Sequence, residues 1–274
     1  MKKFFACLLA LACMCSFAWA EEEEEEYGAA VVGSPAEITD QMELELAEYE
    51  PYVPEHLEKT VFGRDDRTTI KQTNQYPYSA IAYLKVKGQC GCDWTGSGFM
   101  VGKSGMVTAA HCLVCKTHNQ WVKGMTMYFG YRNDKNYAYR YNEQFTYWYG
   151  VNPYATGRYS ETNDYAYIKL NKNVGEQVGS FGIRYAQPSQ DGQVYNLAGY
   201  RHGVLKTSSG TVSVYNDLLF KYVIDTEPGN SGCPVFDNEY YAVGINVSHS
   251  DTSNYAHRFP SYLVTEMRNN GIFN

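Results

Sequence analysis

Gly98-Phe99-Met100-Val101, the turn Gly102-Lys103-Ser104-Gly105 and Met106-Val107-Thr108 put two short apolar runs back to back, and Ala109-Ala110-His111-Cys112 follows at once. Neither run is long enough for a helix, and both suit a pleated, buried surface. The same texture extends in both directions. Ala80-Ile81-Ala82-Tyr83-Leu84-Lys85-Val86 lies upstream; runs at 125–131, 137–141, 165–170, 194–198, 204–206, 211–215, 218–224 and 241–247 lie downstream. Short strands at such spacing, with turn residues between them, predict an all-β sandwich or barrel. One helix is expected, at the end of the chain. Ser261 can cap it, Leu263 and Met267 stand at i, i+4, and Gly271 stops it.

Composition bounds what such a chain can be. It has 274 residues, 44% hydrophobic and 19% charged, which argues against global disorder and allows a sizeable core. The 26 Tyr beside 12 Phe and 4 Trp favour strands. The formal charge of −7 averages three unlike segments: +2 over residues 1–20, −13 over 21–60 and +4 over 61–274. The body is too weakly basic for nucleic-acid binding. No stretch after the N-terminus reaches membrane-spanning length.

The N-terminus reads as a secretory signal. Lys2-Lys3 is a positive start, residues 4–17 are an apolar stretch broken only by Ser16, and Ala18-Trp19-Ala20 is a small-x-small cleavage site before Glu21. The signal is expected over 1–20, with a bacterial look. The mature protein is then extracellular or periplasmic and has no membrane partner. Residues 21–60 begin with Glu21 to Glu26 and stay acidic to Glu58. They read either as a solvated spacer or as a pro-segment that keeps an enzyme silent until an activating protease removes it.

Three segments carry chemistry. Thr108-Ala109-Ala110-His111-Cys112 follows a strand. Asn163-Asp164-Tyr165-Ala166-Tyr167-Ile168-Lys169-Leu170 sets an acid at the mouth of another. Pro228-Gly229-Asn230-Ser231-Gly232-Cys233-Pro234 surrounds a serine with glycines, which let the backbone turn tightly and aim its N–H groups at one point. A serine hydroxyl is a poor nucleophile at neutral pH. It needs an imidazole to take its proton, a carboxylate to orient that imidazole, and donors for the oxyanion. The order His, Asp, Ser supplies each part.

These segments resemble the three catalytic segments of trypsin/chymotrypsin-like serine proteases. The nearer likeness is to the bacterial glutamyl endopeptidases, relatives of the staphylococcal enzyme. Val61-Phe62-Gly63-Arg64-Asp65-Asp66-Arg67 is similar to the start of the mature chain in that branch. Tyr76-Pro77-Tyr78-Ser79-Ala80-Ile81, Gly96-Ser97-Gly98-Phe99-Met100-Val101 and Asp225-Thr226 also match. The resemblance covers about residues 61–270. It implies two antiparallel six-stranded β-barrels, divided near 175–190, with the site in the cleft between them and a C-terminal helix. It also implies His111 as general base, Asp164 as its orienting carboxylate, Ser231 as nucleophile, and the N–H groups of Gly229 and Ser231 as oxyanion hole.

Two features depart from the branch. Its pocket histidine follows Gly-Ile on the strand after the serine loop; here Gly244-Ile245 is followed by Asn246, and His249 lies three residues on. Thr226 matches the pocket threonine. Asp225 could attract a basic side chain, although Asp-Thr is common in the branch. Val61, as a new N-terminus, would bring its amino group near the pocket. Preference for Glu or Asp before the scissile bond is therefore open. The cysteines are the second departure. Cys90-Gly91-Cys92 and Cys112-Leu113-Val114-Cys115 form two pairs that invite a zinc reading, with four thiolates. A secreted chain, and the neighbouring strands the resemblance implies, favour disulfides instead: Cys90–Cys115 with Cys92–Cys112, or the swapped pairing. Cys233 is left as a buried free thiol, and neither metal nor cofactor is expected. The sequence thus predicts a secreted serine endopeptidase, made as a zymogen and acting on proteins or peptides. The alternatives are a silent binding module on the same fold and an esterase. The His, Asp, Ser order opposes an α/β-hydrolase.

Overall fold

The computed structural model describes residues 30–33, 61, 65–132, 137, 139–141 and 145–274. The signal segment 1–20, the glutamate run 21–26 and Phe62-Gly63-Arg64 lie outside the described residues. Seventeen strands are described: β1 (Ala30–Gly33), β2 (Thr68–Thr69), β3 (Ile81–Gly88), β4 (Asp93–Met100), β5 (Gly105–Thr108), β6 (Val114–Cys115), β7 (Gln120–Phe129), β8 (Tyr139–Tyr141), β9 (Phe145–Val151), β10 (Ala166–Leu170), β11 (Gly182–Ile183), β12 (Val194–Arg201), β13 (Val204–Val214), β14 (Leu219–Tyr222), β15 (Pro234–Phe236), β16 (Tyr241–His249) and β17 (Asn254–Arg258).

They form two sheets. The C-terminal one closes into a barrel of six strands, β16-β15-β12-β13-β14-β17, because β17 pairs with both β14 and β16. The N-terminal sheet runs β1-β9-β10-β5-β4-β3-β7-β6, with β8 on β7. It curls without closing among the described residues, which departs from the two full barrels the resemblance implied. The free side of β9 is occupied: β1, from the acidic leader, pairs there antiparallel from Ala30↔Val151 to Gly33↔Trp148.

The halves meet through β3 and β12. Every residue of β3 except Lys87 is buried, because the second sheet covers the face that solvent would otherwise take. Tyr83 on β3 packs against Tyr200 on β12, ring centroids 5.5 Å apart. Two buried tyrosines bond their hydroxyls, as an amphipathic ring in a core favours: Tyr200 donates to the Tyr131 carbonyl and Tyr222 to Asn246 Oδ1.

Two segments cross between the halves. β2, which lies between β1 and β3 in the chain, pairs with β13 of the second sheet. After the second barrel comes helix α2 (Ser261–Asn269), which follows the short α1 (Gly175–Val178) in chain order. α2 buries Leu263, Val264 and Met267, and the tail beyond it returns to the first half, where Ser104 Oγ donates to the Asn274 carbonyl. Pro260 holds the N-cap position expected of Ser261, which is the first helical residue; proline fits there because its φ suits helix entry. Among the described residues, no helix is long and apolar enough to cross a membrane.

Candidate active site

His111 sits in a short 3-10 turn (Ala110–Leu113) directly after β5. Asp164 ends another such turn (Glu161–Asn163), just before β10. β5 and β10 are neighbours, with Thr108 opposite Ala166, so the two turns leave the sheet side by side. Asp164 is 0% exposed, and both of its oxygens face His111. Oδ1 accepts the His111 backbone N–H at 2.7 Å, and Oδ2 pairs with ring Nδ1 at 2.5 Å. Burial pulls the imidazolium pKa down, but the Asp164 charge, with Cys112 adding to it, outweighs burial and holds His111 well above 6.5. The ring is thus oriented with Nδ1 toward the carboxylate and the other nitrogen available.

Ser231 comes from the other half, in the loop between β14 and β15. That loop depends on its glycines. Gly229 has φ +100° and Gly232 φ +84°; a Cβ at Gly232 would lie 2.1 Å from the Ser97 carbonyl and 2.3 Å from Thr108 Oγ1. Only glycine adopts that conformation in that space. Ser97 on β4 clamps the loop across the junction of the halves. Its N–H donates to the Ser231 carbonyl (2.8 Å) and its Oγ to the Gly229 carbonyl (2.8 Å), while Oγ accepts the Tyr200 N–H. Asn230 completes the turn, accepting the Glu227 N–H and donating to the Tyr200 carbonyl. Among the described residues, no protein group accepts the Gly229 or Ser231 N–H. Two such N–H groups beside a serine can take a developing oxyanion.

His111, Gly229 and Ser231 line one cleft of about 410 Å3 between the halves. Thr226, Asn246 and His249 line it too, as the sequence expects of pocket residues, together with Lys116, Tyr154, Glu161 and Ser248. Asn246 is held from behind by the Tyr222 hydroxyl at 2.6 Å. Asp225 does not line the cleft. It is buried, and its Oδ2 accepts the Asp66 N–H at 3.2 Å. Val61 is half-buried and outside the lining. The segment after it nonetheless docks on the serine loop: Arg67 pairs with Glu227 at 2.6 Å and with Asp65 at 2.8 Å.

Sequence reasoning missed Tyr159 and Ser97. The Tyr159 hydroxyl donates its one proton to Asp164 Oδ2 and lies 3.1 Å from the Val247 carbonyl on β16. Burial and the Asp164 charge push that hydroxyl well above 10, so it remains a donor. Among 26 tyrosines it carries no local signal; its spacing from Asp164 acquires meaning only once the 152–163 loop is folded.

The cysteines also depart from expectation, for all five of the body are free thiols. Cys90, Cys92 and Cys115 gather with His118, whereas Cys112 is 1% exposed with its Sγ 3.5 Å from the Ser231 carbonyl. Cys112 therefore bridges to neither Cys90 nor Cys92. The 3-10 turn at 110–113 rotates it away from Cys115. Cys233 is a buried thiol, and burial pushes its pKa well above 9.

Comparison with known proteins supports the same reading. The trypsin-like peptidase domain family matches residues 96–245, more than half of the chain and inclusive of His111, Asp164 and Ser231. A glutamyl endopeptidase of Bacillus licheniformis is 31% identical over 185 residues, 65% of this chain and 55% of that one. A Bacillus subtilis protein named an extracellular metalloprotease is 30% identical over 190 residues, 65% of this chain and 58% of that one. The chain spans about half the length of the curated relatives it matches. The solved structure of a Glu endopeptidase in complex with MPD superposes with a TM-score of 0.67 at 26% identity, covering 77% of this chain and 99% of that one. With the fold, the clustered residues and the family match in agreement, the chain belongs to the trypsin-like peptidase family and is similar within it to the glutamyl endopeptidases.

Proposed function

We propose that this protein is a secreted serine endopeptidase working through a His111–Asp164–Ser231 triad. The carrying observation is the doubly hydrogen-bonded His111–Asp164 pair, in which the carboxylate is buried and the imidazole opens onto the same cleft as Ser231. In this mechanism the Ser231 hydroxyl attacks the scissile carbonyl while His111 takes its proton. Asp164 steadies the resulting imidazolium, and the Gly229 and Ser231 N–H groups receive the oxyanion. Collapse expels the amine, which takes the proton from His111, and leaves an acyl-enzyme for water to clear. Each oxyanion donor is worth on the order of 10²–10³ in turnover.

Residues 1–20 act as the export signal and 21–60 as a pro-segment, with 61–274 as the protease domain. Cleavage after Thr60 frees the Val61 amino group. Val61 is four residues from Asp65, a reach of at most about 14 Å, and the Asp65–Arg67 stretch docks on the loop that carries Thr226 and Glu227. The new cation, with Lys116 and His249 in the cleft, favours Glu or Asp before the scissile bond. N-terminal sequencing of the active form, followed by a peptide-library digest read by mass spectrometry, tests both parts. A start far from Val61 removes the processing scheme; equal cleavage after Arg, Lys and aromatic residues removes the acidic preference. A metal-dependent mechanism, which the name of the B. subtilis relative raises, and a silent binding module both predict that Ser231→Ala leaves behaviour unchanged. A triad enzyme loses on the order of 10⁶ in turnover.

A further inference from the structure

Outside the cleft, one cluster of side chains is unexplained by the proposed chemistry. Cys90 and Cys92 sit in the tight turn between β3 and β4, where Gly88 N–H donates to the Cys92 carbonyl at 2.8 Å and Gly91 N–H to the Gly88 carbonyl. Cys115 ends β6 and His118 sits in the turn between β6 and β7, which Asn119 N–H closes onto the Cys115 carbonyl at 2.8 Å. Because β3 and β7 pair, with Gly88 opposite Val122, the two turns lie side by side; Gln89 N–H donates to the Trp121 carbonyl and joins them. Each turn therefore offers two donor atoms to the same point.

The four donor atoms all lie within 4.8 Å of one another. Cys92 Sγ is 3.3 Å and Cys115 Sγ 3.6 Å from His118 Nδ1. A tetrahedral zinc ion with Zn–S of about 2.3 Å and Zn–N of about 2.0 Å sets neighbouring sulfur and nitrogen atoms about 3.5 Å apart. We propose that Cys90, Cys92, Cys115 and His118 hold a structural Zn2+ ion that ties the β3–β4 turn to the segment carrying His111.

Three arguments carry this. A disulfide joins sulfurs in pairs, so three clustered thiols leave one over, and Cys112, the candidate for a second bond, points to Ser231 instead. Three soft thiolates and an imidazole form a donor set that zinc prefers and that calcium and magnesium do not. Four protein ligands fill a tetrahedron, which makes the site closed and structural, with no position for a substrate or water. Cys115 follows His111 by four residues, so the ion braces the chain just after the catalytic turn. Binding releases the thiol protons, and affinity falls as pH is lowered.

The test uses the processed protein purified without chelator and does not depend on peptidase activity. Elemental analysis should give about one zinc per chain, and X-ray absorption a shell of three sulfurs and one nitrogen. Apoprotein given Co2+ alone should develop the sulfur-to-metal charge-transfer and intense d–d bands of tetrahedral thiolate coordination. His118→Ala and Cys92→Ser should each lose the ion and its spectrum, whereas Cys112→Ala should keep both. If a variant fails to fold, chelated wild-type protein still decides, since returning Zn2+ must raise its melting temperature at one equivalent. Absence of zinc uptake, an octahedral cobalt spectrum, or a non-reduced mass showing Cys90, Cys92 or Cys115 in a disulfide would each overturn the proposal.

Discussion

Asp164→Asn asks more of the site than any other single change. The carboxylate takes three donors: the His111 backbone N–H on Oδ1, and the His111 ring N–H and the Tyr159 hydroxyl on Oδ2. An amide has one acceptor oxygen. With that oxygen at the Oδ2 position, the NH2 group meets the His111 backbone N–H head-on in a site that is 0% exposed. With the amide flipped, the imidazole must carry its proton on Nε2, the nitrogen turned away from residue 164, and can no longer accept one there. Each unsatisfied buried donor costs about 1–3 kcal/mol, and the imidazolium loses its counter-charge in the transition state. Turnover should fall by roughly 10⁴, about 5.5 kcal/mol at about 1.36 kcal/mol per decade. The pH dependence supplies the sign. His111 must be neutral to accept a proton, so activity is lost as pH falls through its pKa, which Asp164 holds well above 6.5. Without the carboxylate, only Cys112 is left to oppose burial and the acid limb of kcat/KM should move down. The assay is peptide hydrolysis from pH 5 to 10, with thermal melts to show that the fold survives. A loss under about tenfold, or an acid limb that stays in place, would refute the reasoning.

The remaining expectations are briefer. Tyr159→Phe removes a donor that competes with His111 for Asp164 Oδ2, so the acid limb should shift to higher pH and near-normal turnover should return above it; a downward shift contradicts that role. Gly232→Ala forces a Cβ against the Ser97 carbonyl at positive φ and should cost more than about 3 kcal/mol in thermal or urea unfolding. Arg67→Ala removes one of the two cations that pair with Glu227 beside the serine loop among the described residues, and Arg201 at 3.1 Å remains; the loss in unfolding free energy should therefore fall below the about 3–5 kcal/mol of a buried pair broken outright, and KM should rise more than kcat falls.

What was legible in the sequence follows how local each signal is. The strand texture needed only alternation and turn residues, and β3, β4, β5 and β10 fall where the runs at 80–86, 98–101, 106–108 and 165–170 lie. His111, Asp164 and Ser231 each carry a motif within a few residues, and the fold brings all three to one place. Ser97 and Tyr159 carry none, because they act by reaching across the junction between two halves. The cysteines misled for a geometric reason. Cys112 and Cys115 look like a pair in sequence, yet a 3-10 turn at 110–113 sends one sulfur toward Ser231 and the other toward His118. Asp225 misled likewise: spacing alone could not reveal that the 65–67 segment would cover it.

The central claim is that Ser231 is an activated nucleophile, and one measurement addresses it directly. The processed protein is incubated with a serine-directed phosphonate, digested, and the adduct located by mass spectrometry. A single adduct on Ser231 is predicted, forming faster as pH rises through the His111 pKa and absent in Ser231→Ala and His111→Ala. A processed, folded protein that takes up no phosphonate, or takes it up on another residue, would contradict the account.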